Sequence, residues 1–258
     1  VLSTGSEVNM STKQKKMIFA LAVLSVIMGF TPKAYGMHIM EGYLSPKYCI
    51  AWGVLSIPFL VAGYLSIKKK LKENRKNITL LAMSGAFIFL ISSLKIPSVT
   101  GSCSHMTGTG LGAILFGPTA VSILGIIVLL FQAILLAHGG LTSLGANTFS
   151  MAIAGPLLSY GIFKLCKKLK VNPMGSVFLA AFFGDIFTYC ITSFQLAIAY
   201  PSEEGGAIAS VGKFLGVFAP TQLPLAVLEG ILTVLIMIAL KTYASQELKL
   251  VNLNMEEN

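Results

Sequence analysis

Apolar residues dominate long stretches at about 49–67, 78–94, 118–137, 147–166, 174–199 and 221–241, after a shorter one at Met17–Phe30. Basic residues gather in the short connections between them. Such lengths match the roughly 20 residues a helix needs to cross a hydrocarbon core about 30 Å thick, and a helix satisfies its own backbone polar groups in lipid. The pattern predicts an all-α polytopic membrane protein. Composition agrees: charged residues are 11% of the 258-residue chain, against roughly 25% in water-soluble domains, and mean hydropathy is +0.79. Disordered chains, disulfide scaffolds and coiled coils are excluded.

A formal charge of +9 suggests a nucleic-acid partner until the charges are located. Of the 15 Lys and Arg after residue 36, ten fall in two clusters, Lys68, Lys69, Lys70, Lys72, Arg75 and Lys76, then Lys164, Lys167, Lys168 and Lys170. Short basic loops between apolar segments mark the cytoplasmic side of a membrane protein, so the charge reports orientation and not nucleic acid. At the amino terminus, Lys13, Lys15 and Lys16 precede a 14-residue apolar run, then Pro32, Ala34 and Gly36. That order reads as a secretory signal peptide over residues 1–36, cleaved between Gly36 and Met37. Residues 1–9 precede the first Met and read as a start-site artefact. Residues 37–258 form the mature chain, a single transmembrane domain.

With Met37 outside, an even number of crossings must separate the two basic loops, yet only three long segments do. The fourth is expected around Thr109 to Gly117, as a short helix shielded by its neighbours. The result is seven helices, amino terminus outside and carboxyl terminus inside, with the tail after Lys241 read as a solvated end. The same parity places His38, His105 and His138, all three histidines of the chain, on the external side.

Cleavage would start the chain at Met37-His38-Ile39-Met40-Glu41-Gly42, and a free amine followed directly by histidine is a chelator. The Met37 amine and His38 amide nitrogen close a five-membered ring on a metal. The His38 amide and its own Nδ1 close a six-membered one. A fourth nitrogen completes a planar set suited to Ni(II), Cu(II) or low-spin Co(II). His105, in a loop bent by Pro97, Gly101 and Gly108, is the expected donor. His138, before Gly139-Gly140, is read as a cap on the preceding helix or an outer contact of the metal site. Cys103 is a soft donor two residues from His105, and Cys49 and Cys103 both fall toward the outside, where a disulfide can form. Absent any CxxC spacing, the four cysteines read otherwise as small buried hydrophobes.

Several longer motifs carry a resemblance. They are Met37-His38-Ile39-Met40-Glu41-Gly42, Ser104-His105-Met106-Thr107-Gly108-Thr109-Gly110-Leu111-Gly112-Ala113, Ala137-His138-Gly139-Gly140-Leu141-Thr142-Ser143-Leu144-Gly145-Ala146-Asn147, Gly184-Asp185-Ile186-Phe187-Thr188-Tyr189 and Phe218-Ala219-Pro220-Thr221-Gln222. The chain, over about Met37 to Leu240, resembles the CbiM/NikM family, the substrate-binding membrane components of energy-coupling factor (ECF) transporters for cobalt and nickel. The resemblance implies a seven-helix fold with the processed amino terminus tucked in from outside, and metal held through Met37, His38 and His105. It implies no permanently bound cofactor, with Co²⁺ (or Ni²⁺) as substrate, in a bacterial or archaeal cytoplasmic membrane. Implied partners are a CbiQ-like transmembrane coupling subunit, a CbiO-like ATPase and a small CbiN-like auxiliary subunit, serving cobalamin biosynthesis. The cobalt branch is the closer likeness.

The chain carries no nucleotide site of its own: Gly205 to Phe214 has the wrong glycine spacing for a phosphate loop, and Phe214 replaces the Mg²⁺-binding hydroxyl. Small residues of the first span, Gly53, Ala62 and Ser66, suit close approach of a partner helix or packing within the chain. A second reading is a proton-coupled secondary transporter using Asp185 and Glu229, which lie mid-span, where ionisable groups are costly. The alternative is that Tyr189, Gln195 or Gln222 hydrogen-bonds them and locks the helices together. Ser102, Ser104 and His105 form no nucleophile–base constellation, so an enzyme is not expected.

Overall fold

In a computed structural model, residues 35–36, 38–97, 102–245 and 248 are described. They belong to one folding unit, Tyr35–Asn258. Residues 1–34, which hold most of the expected signal peptide, Met37 and the side chain of Cys103 lie outside the described residues.

Seven helices succeed one another among the described residues: α1 Pro46–Glu73, α2 Asn77–Ser93, α3 Thr109–Phe116, α4 Pro118–Leu136, α5 Leu144–Lys168, α6 Pro173–Ala199 and α7 Gly206–Tyr243. Five of them, α1 and α4 to α7, are long and apolar enough to cross a membrane. The 17-residue α2 is shorter but apolar. The eight residues of α3 are all buried, as expected for a short helix shielded by others. Gly110 lets it nest against α6, for a Cβ there would fall 2.9 Å from Ala181 Cα.

Local sequence explains the boundaries. Pro46, Pro118 and Pro173 each open a helix at a position where the missing N–H costs nothing. Asn172 caps α6 by accepting from the backbone N–H of Met174 at 2.8 Å. At the basic turn between α1 and α2, the Asn77 side-chain amide donates to the Lys70 carbonyl at 3.0 Å, a second donor beside the Asn74 N–H that closes the end of α1. Two features depart from expectation. Gly206 to Pro220, outside the apolar stretches read from the sequence, instead begins α7, whose 38 residues extend about 57 Å at 1.5 Å per residue. Residues Thr148–Ala154 of α5 form a π-helical stretch, and Gly125 of α4 fits against it, where a Cβ would meet the Ala152 methyl at 2.3 Å.

A three-stranded sheet also joins the helices, in the order β1 (Tyr35–Gly36), β3 (Ser102–Ser104), β2 (Ile96–Pro97). β1 runs parallel to β3 with Gly36 opposite Cys103, and β2 runs antiparallel to it. Runs of two and three residues leave no periodicity for a sequence reading to find.

The molecule is turned inside out relative to a soluble protein. On α1 the large residues Ile50, Val54, Leu55, Ile57, Val61, Tyr64 and Leu65 are exposed, and only Ser56 and Gly63 are buried. Gln132, Gln195, Gln222, Asp185 and Glu229 are buried. One apolar cluster joins the start of α2 (Leu80, Leu81), α3 (Ile114, Phe116), the start of α6 (Val177, Ala180) and the end of α7 (Met237). Leu248 belongs to it at 5% exposure, so that part of the tail is packed and not solvated. A second cluster, at the opposite helix ends, joins Ile39, Leu44, Ala146, Tyr189, Leu196 and Phe218. The backbone of Gly53 packs within the chain against Gly145, where a Cβ on Gly145 would fall 2.6 Å from Gly53 Cα, while the space a Cβ on Gly53 itself would take is open.

Candidate metal site

The segment after Met37 has no regular structure of its own, so its polar backbone needs partners from elsewhere. Asn147, in the first turn of α5, supplies them to Ile39. Its Oδ1 accepts from the Ile39 N–H at 2.9 Å, and its Nδ2 donates to the Ile39 carbonyl at 3.0 Å. The Ser143 hydroxyl donates to the same carbonyl. Further on, Thr142 N–H donates to Glu41 Oε2 at 3.2 Å and Gly42 N–H to Thr142 Oγ1 at 3.3 Å. These bonds hold the Glu41 carboxyl below the usual carboxylate range. Residues Ile39 to Gly42 are thus fastened to the turn between α4 and α5, and His38 enters the interior at 3% exposure.

His105 arrives from the other direction, one residue past β3. Its loop is clamped by Glu229 of α7, whose carboxylate accepts from the Thr107 N–H at 2.5 Å, the Thr107 hydroxyl at 2.9 Å and the Gly108 N–H at 3.0 Å. The Gln222 amide donates to the His105 carbonyl at 3.1 Å and to Asp185 Oδ2 of α6 at 2.6 Å. Asp185 and Glu229, the candidates for a proton relay, thus brace α6 and α7 against the His105 loop. Both are buried. Gln222 was among the partners expected for them. Tyr189 instead bonds the Leu215 carbonyl, and Gln195 the Ala146 carbonyl.

His105 Nδ1–H donates to the Met106 carbonyl at 2.8 Å. That bond fixes the tautomer and leaves the Nε2 lone pair facing inward. Nε2 lies 2.7 Å from His38 Nδ1. With metal–nitrogen bonds of about 2.0 Å, neighbouring donors of a square plane stand about 2.8 Å apart, so the two atoms already hold the spacing of adjacent ligands.

His138 completes the cluster. Its ring centroid lies 4.5 Å from that of His38 and 4.9 Å from that of His105, and one donor atom from each of the three lies within 4.8 Å of the others. Neither of its ring nitrogens has a hydrogen-bond partner among the described residues, so the side chain does not cap α4. The backbone does that work: Ala137 is left-handed, with φ 46°, and the His138 N–H donates to the Gln132 carbonyl at 3.1 Å. Burial keeps all three rings neutral. It pushes His38 well below the ordinary 6.5, with a further push from His105 and His138. It carries His105 down to about 4 and His138 to about 2. At neutral pH each ring is uncharged and keeps one nitrogen lone pair, that of His105 Nε2 accepting from His38 Nδ1–H.

The sequence reading paired His38 with His105 and gave His138 as a helix cap or an outer contact of the site; its placement beside the other two rings fits the second and not the first. It assigned no role to Asn147, Ser143 or the Glu229 clamp, although a polar Asn at the mouth of an apolar helix is a signal in its own right. Cys49 is a free thiol among the described residues, lying 3.5 Å from the Leu44 carbonyl; the pairing expected with Cys103 falls on a side chain outside them. Cys166 and Cys190 are also free.

Comparison with known proteins bears on this geometry. Residues 38–247 match the family model CbiM, described as a cobalt uptake substrate-specific transmembrane region. The cobalt transport protein CbiM of Lachnoclostridium phytofermentans is 70% identical over 239 residues, 93% of this chain and 96% of that protein. That of Ruminiclostridium cellulolyticum is 59% identical over the same shares. Among solved structures, a truncated transition metal transporter superposes with a TM-score of 0.66 at 29% identity, covering 80% of this chain and 99% of its own.

Proposed function

The chain belongs to the CbiM family of cobalt-uptake transmembrane regions, and on that premise we propose that it is the substrate-capture component of an ATP-driven ECF importer for Co²⁺. After cleavage at Gly36–Met37, the Met37 amine, the His38 amide and His38 Nδ1 wrap one side of the ion, and His105 Nε2 closes the plane. The observation that carries this reading is the 2.7 Å approach of His38 Nδ1 to His105 Nε2, made between neutral, buried rings on segments 67 residues apart.

Capture takes place at the outer face of the cytoplasmic membrane, with the basic turns at 68–76 and 164–170 inside. Chelation displaces the His38 amide proton, so reprotonation of that nitrogen favours release on the inner side. Hydrolysis of ATP belongs to a CbiO-like subunit, coupled through a CbiQ-like membrane protein and assisted by a CbiN-like one. The cobalt serves cobalamin synthesis. Nickel takes the same four nitrogens and remains the alternative cargo. The carboxylates of the proton-coupled reading, Asp185 and Glu229, are already engaged with Gln222, Thr107 and Gly108, which favours the ATP-driven reading.

His38→Ala and His105→Ala should each abolish high-affinity cobalt uptake while leaving the protein in the membrane at normal abundance. Native mass spectrometry of the purified wild type should show a chain beginning at Met37 with one ion bound. Full uptake by the double variant, or a mass retaining residues before Met37, would overturn the assignment.

A further inference from the structure

Four nitrogens fill a square plane, yet the structure brings a third imidazole, and with it a fifth nitrogen donor, to the same place. His138 is 1% exposed, and neither Nδ1 nor Nε2 has a partner among the described residues. Leaving a buried ring nitrogen unsatisfied forfeits the hydration it had in water with nothing in return, and buried polar atoms are almost always satisfied. Packing alone is a poor account of a histidine here, since a phenyl ring would fill the space without that cost.

The placement of the ring suggests what it meets. It stands nearly equidistant from His38 and His105, at 4.5 and 4.9 Å between centroids, and its plane crosses theirs at 76° and 73°. A donor equidistant from two adjacent ligands of a filled plane, and belonging to neither edge, can approach the ion only from above or below. The backbone that presents it is firmly set. Ala137 and Gly139 on either side are left-handed, at φ 46° and 78°, and Gly139 lies so near His38 that a Cβ would touch its Cδ2 at 3.4 Å. Donor atoms of the three rings lie within 4.8 Å of one another, close enough for one ion to meet all three.

We propose that His138 supplies an axial nitrogen to the captured ion and thereby favours cobalt over nickel. The inference rests on the planar chelate proposed above. Low-spin Co(II), a d⁷ ion, has a single electron in the orbital perpendicular to its ligand plane and accepts a fifth donor there. Planar Ni(II), d⁸, has that orbital filled and repels one, so geometry separates two ions that the four in-plane nitrogens do not.

The test uses the mature full-length protein in detergent, loaded anaerobically with CoCl₂ or NiCl₂. Electron paramagnetic resonance of the cobalt form should show each parallel line split into three by one axial ¹⁴N, and into two after ¹⁵N-histidine labelling. His138→Phe keeps the ring volume and removes both donors. In it the splitting should vanish while a planar low-spin spectrum remains, with cobalt affinity at least tenfold weaker and nickel affinity changed less than threefold. His138→Ala guards against a steric effect of the phenyl ring and should behave alike. A wild-type planar spectrum without the splitting, a splitting that survives in both variants, or equal losses for the two ions would overturn the axial role and leave the planar chelate standing. Failure of the wild type to retain either ion would overturn both.

Discussion

Gly140→Ala adds one methyl group where the amino-terminal segment crosses the turn between α4 and α5. A Cβ at that position falls 2.5 Å from Glu41 Cα, 2.6 Å from Glu41 N and 2.6 Å from Glu41 Oε2. Two of the three are backbone atoms, which no side-chain rotation can remove. Ordinary contact begins near 3.4 Å, so the two segments must separate by about 0.9 Å. Glu41 is three residues from His38, and Ile39 between them is tied at both its N–H and its carbonyl to Asn147. The strain therefore passes to His38 instead of dissipating in a loose loop. Metal–nitrogen bonds tolerate deviations of about 0.2 Å, several times less than the displacement. Cobalt affinity of the purified mature protein, titrated against a competing chelator, should fall at least tenfold, about 1.4 kcal/mol. Gly161→Ala is the matched control, because nothing lies within 4 Å of its Cβ position, and it should bind as wild type does. A folded Gly140→Ala protein that binds cobalt within twofold of wild type would refute the idea that this contact sets the position of the chelate.

Two further outcomes follow from the loop clamp and from burial. Glu229→Gln replaces one accepting oxygen by an NH₂ that faces the backbone donors of Thr107 and Gly108, leaving at least one of them buried and unpaired. It should cost about 1–3 kcal/mol, read as a lower unfolding midpoint in detergent, and a midpoint equal to wild type would show that the clamp bears no strain. For pH, the folded protein holds His105 at about 4, below its ordinary 6.5. The unfolded chain takes up a proton below pH 6.5 that the folded site refuses, so this contribution weakens stability as pH falls from 7 toward 4. The metal-free protein should lose about 1.4 kcal/mol at pH 5.5 through this group, and His105→Ala should show a flatter profile over the same interval.

Much of this arrangement could be read from the residues alone. Long apolar runs located α1, α2 and α4 to α6 within a few residues, and parity of the basic turns exposed α3, which is too short to announce itself. The start of α7 was missed because Gly206, Gly212, Gly216 and Pro220 read as loop punctuation, whereas burial of Ser210 and Phe218 holds the segment helical. His38 and His105 were paired through chelate chemistry, which depends on atom count and ring size and so survives without coordinates. Of the two roles read for His138, a cap or an outer contact of the site, the Gly-Gly after it suggested the cap, but a left-handed Ala137 closes the helix end. The bonds of Glu229 to Thr107 and Gly108 span more than 120 residues, and no local pattern foretells a partner at that distance. Nor does any local pattern foretell the two-faced grip of Asn147 on Ile39.

The π-helical stretch of α5 has a bearing on how the family can vary. An α-helix advances about 100° per residue, so one wide turn offsets the faces above and below it as an added residue would. Before the offset, Ser143 and Asn147 look toward Ile39. After it, Gly155 lies against Thr188 and Ser159 donates to the Ala180 carbonyl of α6 at 2.7 Å. Neither face could keep its neighbour if the helix were wound uniformly. The wide turn thus acts as a phase joint on a single axis: the half that carries Ser143 and Asn147 can vary in what it holds while the half that meets α6 keeps its alignment with the bundle.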